Sequence, residues 1–381
     1  MATDLRAAIE SVVDPQLDLT LGDVGMLGDV ATTRRGARVE LLVPIASWPT
    51  IDELRGRIVL AAREAGVDAV DVEVVTMGEA GVRAVRAALR DRMEARGGDQ
   101  GRAAVDGHGH GATPTAAPPF LERGSATRVL GISSGKGGVG KSTVSVNLAI
   151  ELAALGHRVG VLDADVYGFS VPKMVAAAVE PVVLGDTVVP TFAHGVRWLS
   201  MGWFVSDDQP VIWRGPLLHK AITQFVTEAW WGEPDFLVVD MPPGTGDVAL
   251  TLSEVVPSVE VYVVTTPQPA AQRVAQRSAL AARKLRLAVR GVVENMSWFD
   301  ADGARHELFG AGGGRALADE LGVPLLGQLP FVVAIRAGGD EGVPVTVGAP
   351  DGAAAEAFRS LATRIAAQGP ARVYRQELRL G

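Results

Sequence analysis

RVLGISSGKGGVGKSTVSVNLA, residues Arg128 to Ala149, decides how the rest of the chain is read. RVLGISS is apolar and β-rich, and STVSVNLAIELAALG repeats apolar residues at helical spacing from Ser142 to Gly156. Between them, Gly135, Gly140, Lys141 and Ser142 completely fill the pattern G-x-x-x-x-G-K-[ST]. Gly135, Gly137, Gly138 and Gly140, with Val139 among them, let the backbone curl until successive N–H groups point at phosphate oxygens. The loop opens a helix, whose N-terminal dipole favours the same charge. The expected ligand is ATP with Mg2+. Lys141 is expected between the β- and γ-phosphates, Ser142 on the metal and Thr143 at the α-phosphate. The competing reading is a glycine-rich strand-to-helix turn with no ligand. A filled pattern between a strand and a helix leaves little room for it.

The pattern needs one lysine, and the loop has a second, Lys136. Only five of the 36 basic residues are lysines, so arginine is the default cation of this chain. Lysine is a compact charge on a flexible stem, and arginine is a planar fork. Two lysines inside one short loop are therefore read as chosen for shape and reach.

Downstream, RVGVLDAD, FLVVD, VYVVTT, RGVVEN and PLLGQLP are short apolar runs separated by helical stretches. That is the pattern of a parallel sheet buried on both faces. The expected fold class is α/β, a P-loop NTPase with a mostly parallel sheet and helices on both faces, plus a small N-terminal α/β domain. LDAD sets Asp163 and Asp165 just past a strand, at the carboxyl edge where ligands bind in such sheets. Asp163 is expected near the metal's water shell, and Asp165 is expected to orient an attacking water. LVVDMPPGTGD places Asp240 as a metal-supporting carboxylate and Gly244 where its N–H can reach the γ-phosphate. A single Asp at a strand end is as readily a helix or turn cap. Three of them beside one phosphate loop point to chemistry.

The remaining composition bounds the answer. The 381 residues are 48% hydrophobic and carry a net charge of -8, so two domains fit and a non-specific nucleic-acid binder is disfavoured. There is no run of 18 apolar residues, and MATDLRAAIESVVD lacks a signal-peptide core, so no membrane span and a cytoplasmic location are expected. Residues 1–95 read as a small α/β domain. It has helices at TDLRAAIESV, PTIDELRGRIVLAAREAG and GEAGVRAVRAALRDRMEAR, a hairpin turning at Arg34-Arg35-Gly36, and a strand at AVDVEVVTM. Residues 96–126 read as a flexible linker, in which His108 and His110 are either a weak metal pair or solvated. Residues 127–381 form the P-loop domain. The chain has no cysteine, which excludes disulfides, thiolate metal sites and cysteine nucleophiles within it.

The loop's K-G-G-x-G-K-[ST] resembles the deviant Walker A motif of the MinD/ParA-like ATPases. That resemblance implies that Lys136 crosses a dimer interface to the nucleotide of the other subunit. It therefore implies an ATP-sandwich homodimer, in which Lys136 joins Lys141 and Asp165, read above from the loop and the strand ends, as the expected catalytic residues. Within that group, SSGKGGVGKSTVSVNLA, LDADVYGFSVPKM, IWRGPLLHKAITQF, DFLVVDMPPGTGDVALTL, GVVENMSWF and GVPLLGQLPF are similar to the Mrp/ApbC family of iron–sulfur cluster carrier ATPases. The matching segments span nearly all of residues 127–345. DPQL (Asp14 to Leu17), LGDVGML and IASWP resemble the small N-terminal domain found on many members. The family implies slow ATP hydrolysis and an apo-protein or iron–sulfur assembly partner. It also implies Asn295 at the adenine, where a strand-end turn residue is the alternative. Arg214-Gly215-Pro216 matches a family motif and is either a surface loop or a switch element.

One departure is chemical. Family members carry a C-x-x-C pair after the NMS segment, and two such pairs hold one [4Fe–4S] cluster across the dimer. Here NMSWFDADGARHELFG (Asn295 to Gly310) has no cysteine, and Trp48-Pro49 stands where Cys-Pro is usual. Clusters are held by thiolates, so an iron–sulfur cluster on this chain is in doubt. Asp300, Asp302, His306 and Glu307 are either ligands for a divalent metal or part of a polar hairpin turning at Gly303. Two further functions compete: a cluster-free, nucleotide-switched scaffold, and a MinD/ParA-like positioning ATPase. The short GPARVYRQELRLG end and the acidic charge argue against the latter.

Overall fold

The computed structural model describes residues 2–33, 36–96, 125–176, 180–204, 215–244, 246–301 and 304–371. His108, His110, Arg214, Asp302 and Gly303 lie outside the described residues. Two compact units are present.

The first unit takes the described residues of Met1–Glu122 together with those of Ala178–Phe192 and Thr227–Gly232. Leu27–Thr33 pairs antiparallel with Gly36–Val43, and Val70–Thr76 adds to Gly36–Val43 in parallel. Ala37, Val39, Leu41 and Val43 point inward at every second residue, as a half-buried strand requires. They join Leu54 and Ile58 of the helix Ile51–Glu64, and Val85 and Leu89 of the helix Glu79–Arg96, each pair four residues apart on one helical face. The same core holds Val182, Leu184, Val189 and Trp230. Arg86 and Arg90 both pair with Asp186, and the Trp230 indole donates to the Leu17 carbonyl at 2.8 Å. Val182, Leu184, Val189 and Trp230 therefore share this core, although the sequence expectation grouped them with 127–381. Trp48 is buried and donates its indole N–H to Asp14 at 2.8 Å. The Asp14 carboxylate also accepts from the Gln16 and Leu17 amides and the Thr50 hydroxyl, while burial pushes its pKa up.

The second unit is built on seven parallel strands. In order across the sheet they are Val196–Ser200, Val159–Asp163, Phe236–Asp240, Arg128–Ser134, Glu260–Thr265, Ala288–Glu294 and Leu325–Gln328, with the short strand Thr191–Ala193 outside Val196–Ser200 as an eighth. Every residue of Arg128–Ser134, Val159–Asp163, Phe236–Asp240 and Glu260–Thr265 is buried, so these strands read as continuous apolar runs with no polar alternation. Leu130 and Ile132 share a core with the helices Lys141–Ala154 and Ala353–Ala367. Ser133, on the opposite face of the strand, bonds Ser278 of the helix Pro269–Lys284 at 3.0 Å. Helices thus cover both faces. Val196–Ser200 is a strand that the apolar runs did not announce, because Arg197 and Ser200 interrupt it. The glycine loop leaves the central strand, where the chain's crossovers change from one side to the other. Ligands bind at such a switch point. Among the described residues, no helix is long and apolar enough to cross a membrane.

Candidate functional site

Gly138 (φ 79°) and Gly140 (φ 80°) occupy the left-handed region and turn the loop into the helix Lys141–Ala154. At Gly135, a Cβ would lie 2.3 Å from the Ala275 nitrogen, so only glycine lets the loop rest on the helix Pro269–Lys284. Gly137 and Gly138 instead face open space. They border a cavity of about 580 Å3, which is within the range of small-ligand sites. Lys136, Gly140, Lys141, Ser142, Thr143 and Asp165 line it, as do Tyr167, Pro242 and Pro243, which sequence reasoning did not single out. Val139 is buried in the core beneath. Lys136 is exposed at the cavity, and among the described residues its ammonium makes no ion pair.

Lys141 is buried. Its Nζ lies 2.7 Å from Asp240 Oδ2 and 3.7 Å from Asp165 Oδ2. The hydroxyls of Ser142 and Ser145 each donate to Asp240 at 2.6 Å. Ser145 was missed, yet its spacing of three from Ser142 puts both on one helical face. Asp163 and Asp240 end adjacent strands as register partners, and both are fully buried. Asp163 accepts from the Ser200 hydroxyl at 2.9 Å and the Asp165 amide at 3.1 Å, and Asp165 accepts from the Gly168 amide at 3.0 Å. Burial, then the negative charge of Asp240, pushes Asp163 up to about 7. Burial also raises Asp165, against the pull of the Lys141 ammonium.

This charge arrangement has a pH consequence. The folded protein holds a proton on Asp163 that the unfolded chain, at about 3.9, has released, so stability from this group is lost as pH rises from about 4 to about 7. Asp163→Asn in the nucleotide-free protein is expected to be more stable than the parent by about 2–4 kcal/mol at pH 8, with the gap closing towards pH 4. Urea unfolding at both pH values checks this, and an equal gap at both would rule out titration of Asp163.

Ser142 Oγ, Asp163 and Asp240 form a hard-oxygen donor set with surplus buried negative charge, which suits Mg2+. Among the described residues, no three His, Asp or Glu side chains form a metal cage. Mg2+ in phosphate sites takes few protein ligands and does not need one.

Two site residues are placed differently from expectation. Gly244 (φ 93°) donates its N–H to the Ser134 carbonyl at 2.8 Å, so that N–H ties two strand ends together and does not face a phosphate. Asn295 is buried and donates its Nδ2 to the Val139 carbonyl at 2.9 Å, so that side of its amide lies against the loop.

The segment that lacks cysteine forms a hairpin, Phe299–Ala301 against Ala304–His306. The Arg305 guanidinium lies 4.0 Å over the Trp298 ring, and the Trp298 indole donates to Asp300 at 3.0 Å. Arg305 is also 3.7 Å from Asp300. Asp300 is thus engaged with its neighbours, while His306 and Glu307 face solvent. The polar-hairpin reading fits this geometry, and the divalent-metal reading finds no ligand cluster among the described residues.

Residues 125–366 match the family model of the NUBPL iron-transfer P-loop NTPases. The chain belongs to that family. It is 39% identical to the iron–sulfur cluster carrier protein of Mycobacterium tuberculosis over 367 residues, which is 94% of this chain and 91% of that protein. The nucleotide-binding protein of Archaeoglobus fulgidus, solved in complex with ADP, is 31% identical with a TM-score of 0.52, over 61% of this chain and 91% of its own. The cell division ATPase MinD of Pyrococcus furiosus is 26% identical with a TM-score of 0.50, over 64% of this chain and 99% of its own. The fold is that of the MinD-like P-loop NTPases, and the resemblance to iron–sulfur cluster carriers extends over most of the chain.

Proposed function

We propose that this NUBPL-type protein is a cytoplasmic homodimer that hydrolyses ATP with Mg2+ and serves the transfer of iron–sulfur clusters to apo-proteins. In this reading, the cluster is cargo that the chain does not hold on thiolates of its own. The observation that carries the proposal is the combination of an exposed Lys136 at the phosphate cavity, with no ion pair among the described residues, and a chain that has no cysteine. Lys136 is free to reach a second copy's nucleotide, while Lys141 and the loop N–H groups neutralise phosphate charge from within. Asp165, at the cavity wall, orients the attacking water. Ser142, Asp163 and Asp240 hold Mg2+, which when bound supplies further charge neutralisation.

A cluster needs cysteines, so another protein must present it. The self-satisfied hairpin around Trp298, Asp300 and Arg305 favours a second reading, in which nucleotide switches a cluster-free scaffold. Anaerobic reconstitution with iron and sulfide tests the two. The purified chain is expected to retain no stoichiometric iron. With Mg2+ and ATP, it is expected to speed cluster transfer from a thiolate-ligated donor to an apo-protein. Stoichiometric bound iron would overturn the thiolate-free assignment. An unchanged transfer rate would leave the scaffold reading.

A further inference from the structure

The geometry points to Asn295 as a positioning residue of the phosphate loop, acting through the Val139 carbonyl in addition to any contact with a base. The Asn295 amide donates to Val139 O at 2.9 Å. All described peptide bonds are trans, and in a planar trans peptide the C=O and the N–H point in opposite directions. Holding the Val139 carbonyl therefore aims the N–H of the next residue, Gly140, away from Asn295. Gly140 lines the cavity, and Val139 does not. The grip is also steric. A Cβ on Gly140 would stand 2.2 Å from Asn295 Nδ2, so loop and amide are in direct contact.

Asn295 is itself firmly held. Its own N–H donates to the Thr265 carbonyl at 2.8 Å. Before it, Glu294 accepts from the Gly314 amide at 2.5 Å, the Gln328 amide at 2.7 Å and the Ser297 hydroxyl at 3.0 Å. After it, Met296 takes a left-handed φ of 56°, and Ser297 N–H donates to Leu329 O at 2.9 Å. A side chain fixed from both flanks can transmit rigidity to a loop that is otherwise mostly glycine.

The inference rests on the loop being a nucleotide site, and the experiment separates the two claims. The probe is Mg2+ tripolyphosphate, which has phosphates but no base, compared with ATP by calorimetry. Asn295→Ala is expected to weaken tripolyphosphate about tenfold to a hundredfold and ATP by at least as much, with the melting temperature little changed. Asn295→Leu, similar in shape but without a donor, takes its place if the alanine variant fails to fold. Loss of ATP affinity with tripolyphosphate affinity unchanged would overturn the inference and leave a base contact. Unchanged affinity for both would overturn it outright. A parent protein that binds neither probe would instead refute the nucleotide reading.

Discussion

Lys141→Ala is expected to abolish nucleotide binding, whereas Lys136→Ala is expected to keep binding and lose the ATP-dependent dimer. The two lysines lie five residues apart in one loop, yet their surroundings differ. Lys141 is buried with Asp240 at 2.7 Å and Asp165 at 3.7 Å. Its removal leaves Asp240 buried beside Asp163, its register partner, without a counter-charge. Breaking a buried pair in this way costs about 3–5 kcal/mol, so the nucleotide-free variant should also unfold more readily. Phosphate would then approach uncompensated carboxylates, which repel it. Lys136 is exposed and makes no ion pair among the described residues, so its loss should leave the unfolding free energy within about 0.5 kcal/mol of the parent. Light scattering with a non-hydrolysable ATP analogue, together with the hydrolysis rate per subunit, checks the second half. A Lys136→Ala protein that still dimerises and turns over at the parent rate would refute the trans-acting role.

The second large effect lies at the other end of the central strand. Arg128 opens the strand that ends at the phosphate loop, about 20 Å away for seven residues. Its guanidinium makes two bonds to Glu260, at 2.6 and 3.2 Å, and both side chains are buried. Arg128 also donates to the Ile365 carbonyl at 2.7 Å and to the Tyr262 hydroxyl at 3.0 Å. Glu260 accepts the Ala371 amide at 2.8 Å and the Tyr262 hydroxyl at 3.0 Å. Burial and the Glu260 charge together push the Tyr262 phenol up, so it stays a donor. Glu260→Ala orphans a buried arginine and should cost about 3–5 kcal/mol in urea unfolding. Replacing both partners, as Arg128→Met with Glu260→Leu, should recover much of that loss, because the two buried charges go together and only the partly exposed Arg290, 3.6 Å from Glu260, loses its carboxylate. Nucleotide affinity should be unaffected by either change at temperatures where the protein is folded. A single variant no less stable than the double would show that the pair is not coupled.

The sheet and the loop were legible because they are local. FLVVD and RVLGISS are uninterrupted apolar runs, and the loop's glycines sit at fixed spacings. The strand Val196–Ser200 was not legible, since Arg197 and Ser200 break its pattern although both are buried. Contacts between distant residues were not legible either. Asn295 and Val139 are 156 residues apart, and no periodicity links a strand end to a loop carbonyl. Ser200 on Asp163 is of the same kind. The Gly244 N–H faces the Ser134 carbonyl because two strands end side by side, which depends on strand order. Ser145 on Asp240 sat within reach of sequence reasoning, one helical turn from Ser142.

The first unit's core also sets a timetable for synthesis. Its N-terminal strands and helices are complete by Arg96, yet the core they form includes Val182, Leu184, Val189 and Trp230. At about 5–20 residues per second, the ribosome reaches Trp230 on the order of 10 s after Arg96. For that interval, the apolar face that Val182, Leu184, Val189 and Trp230 will cover waits for its lid, and the nascent chain must shield it from neighbours. The earliest-made part of this protein is thus not the earliest to be finished.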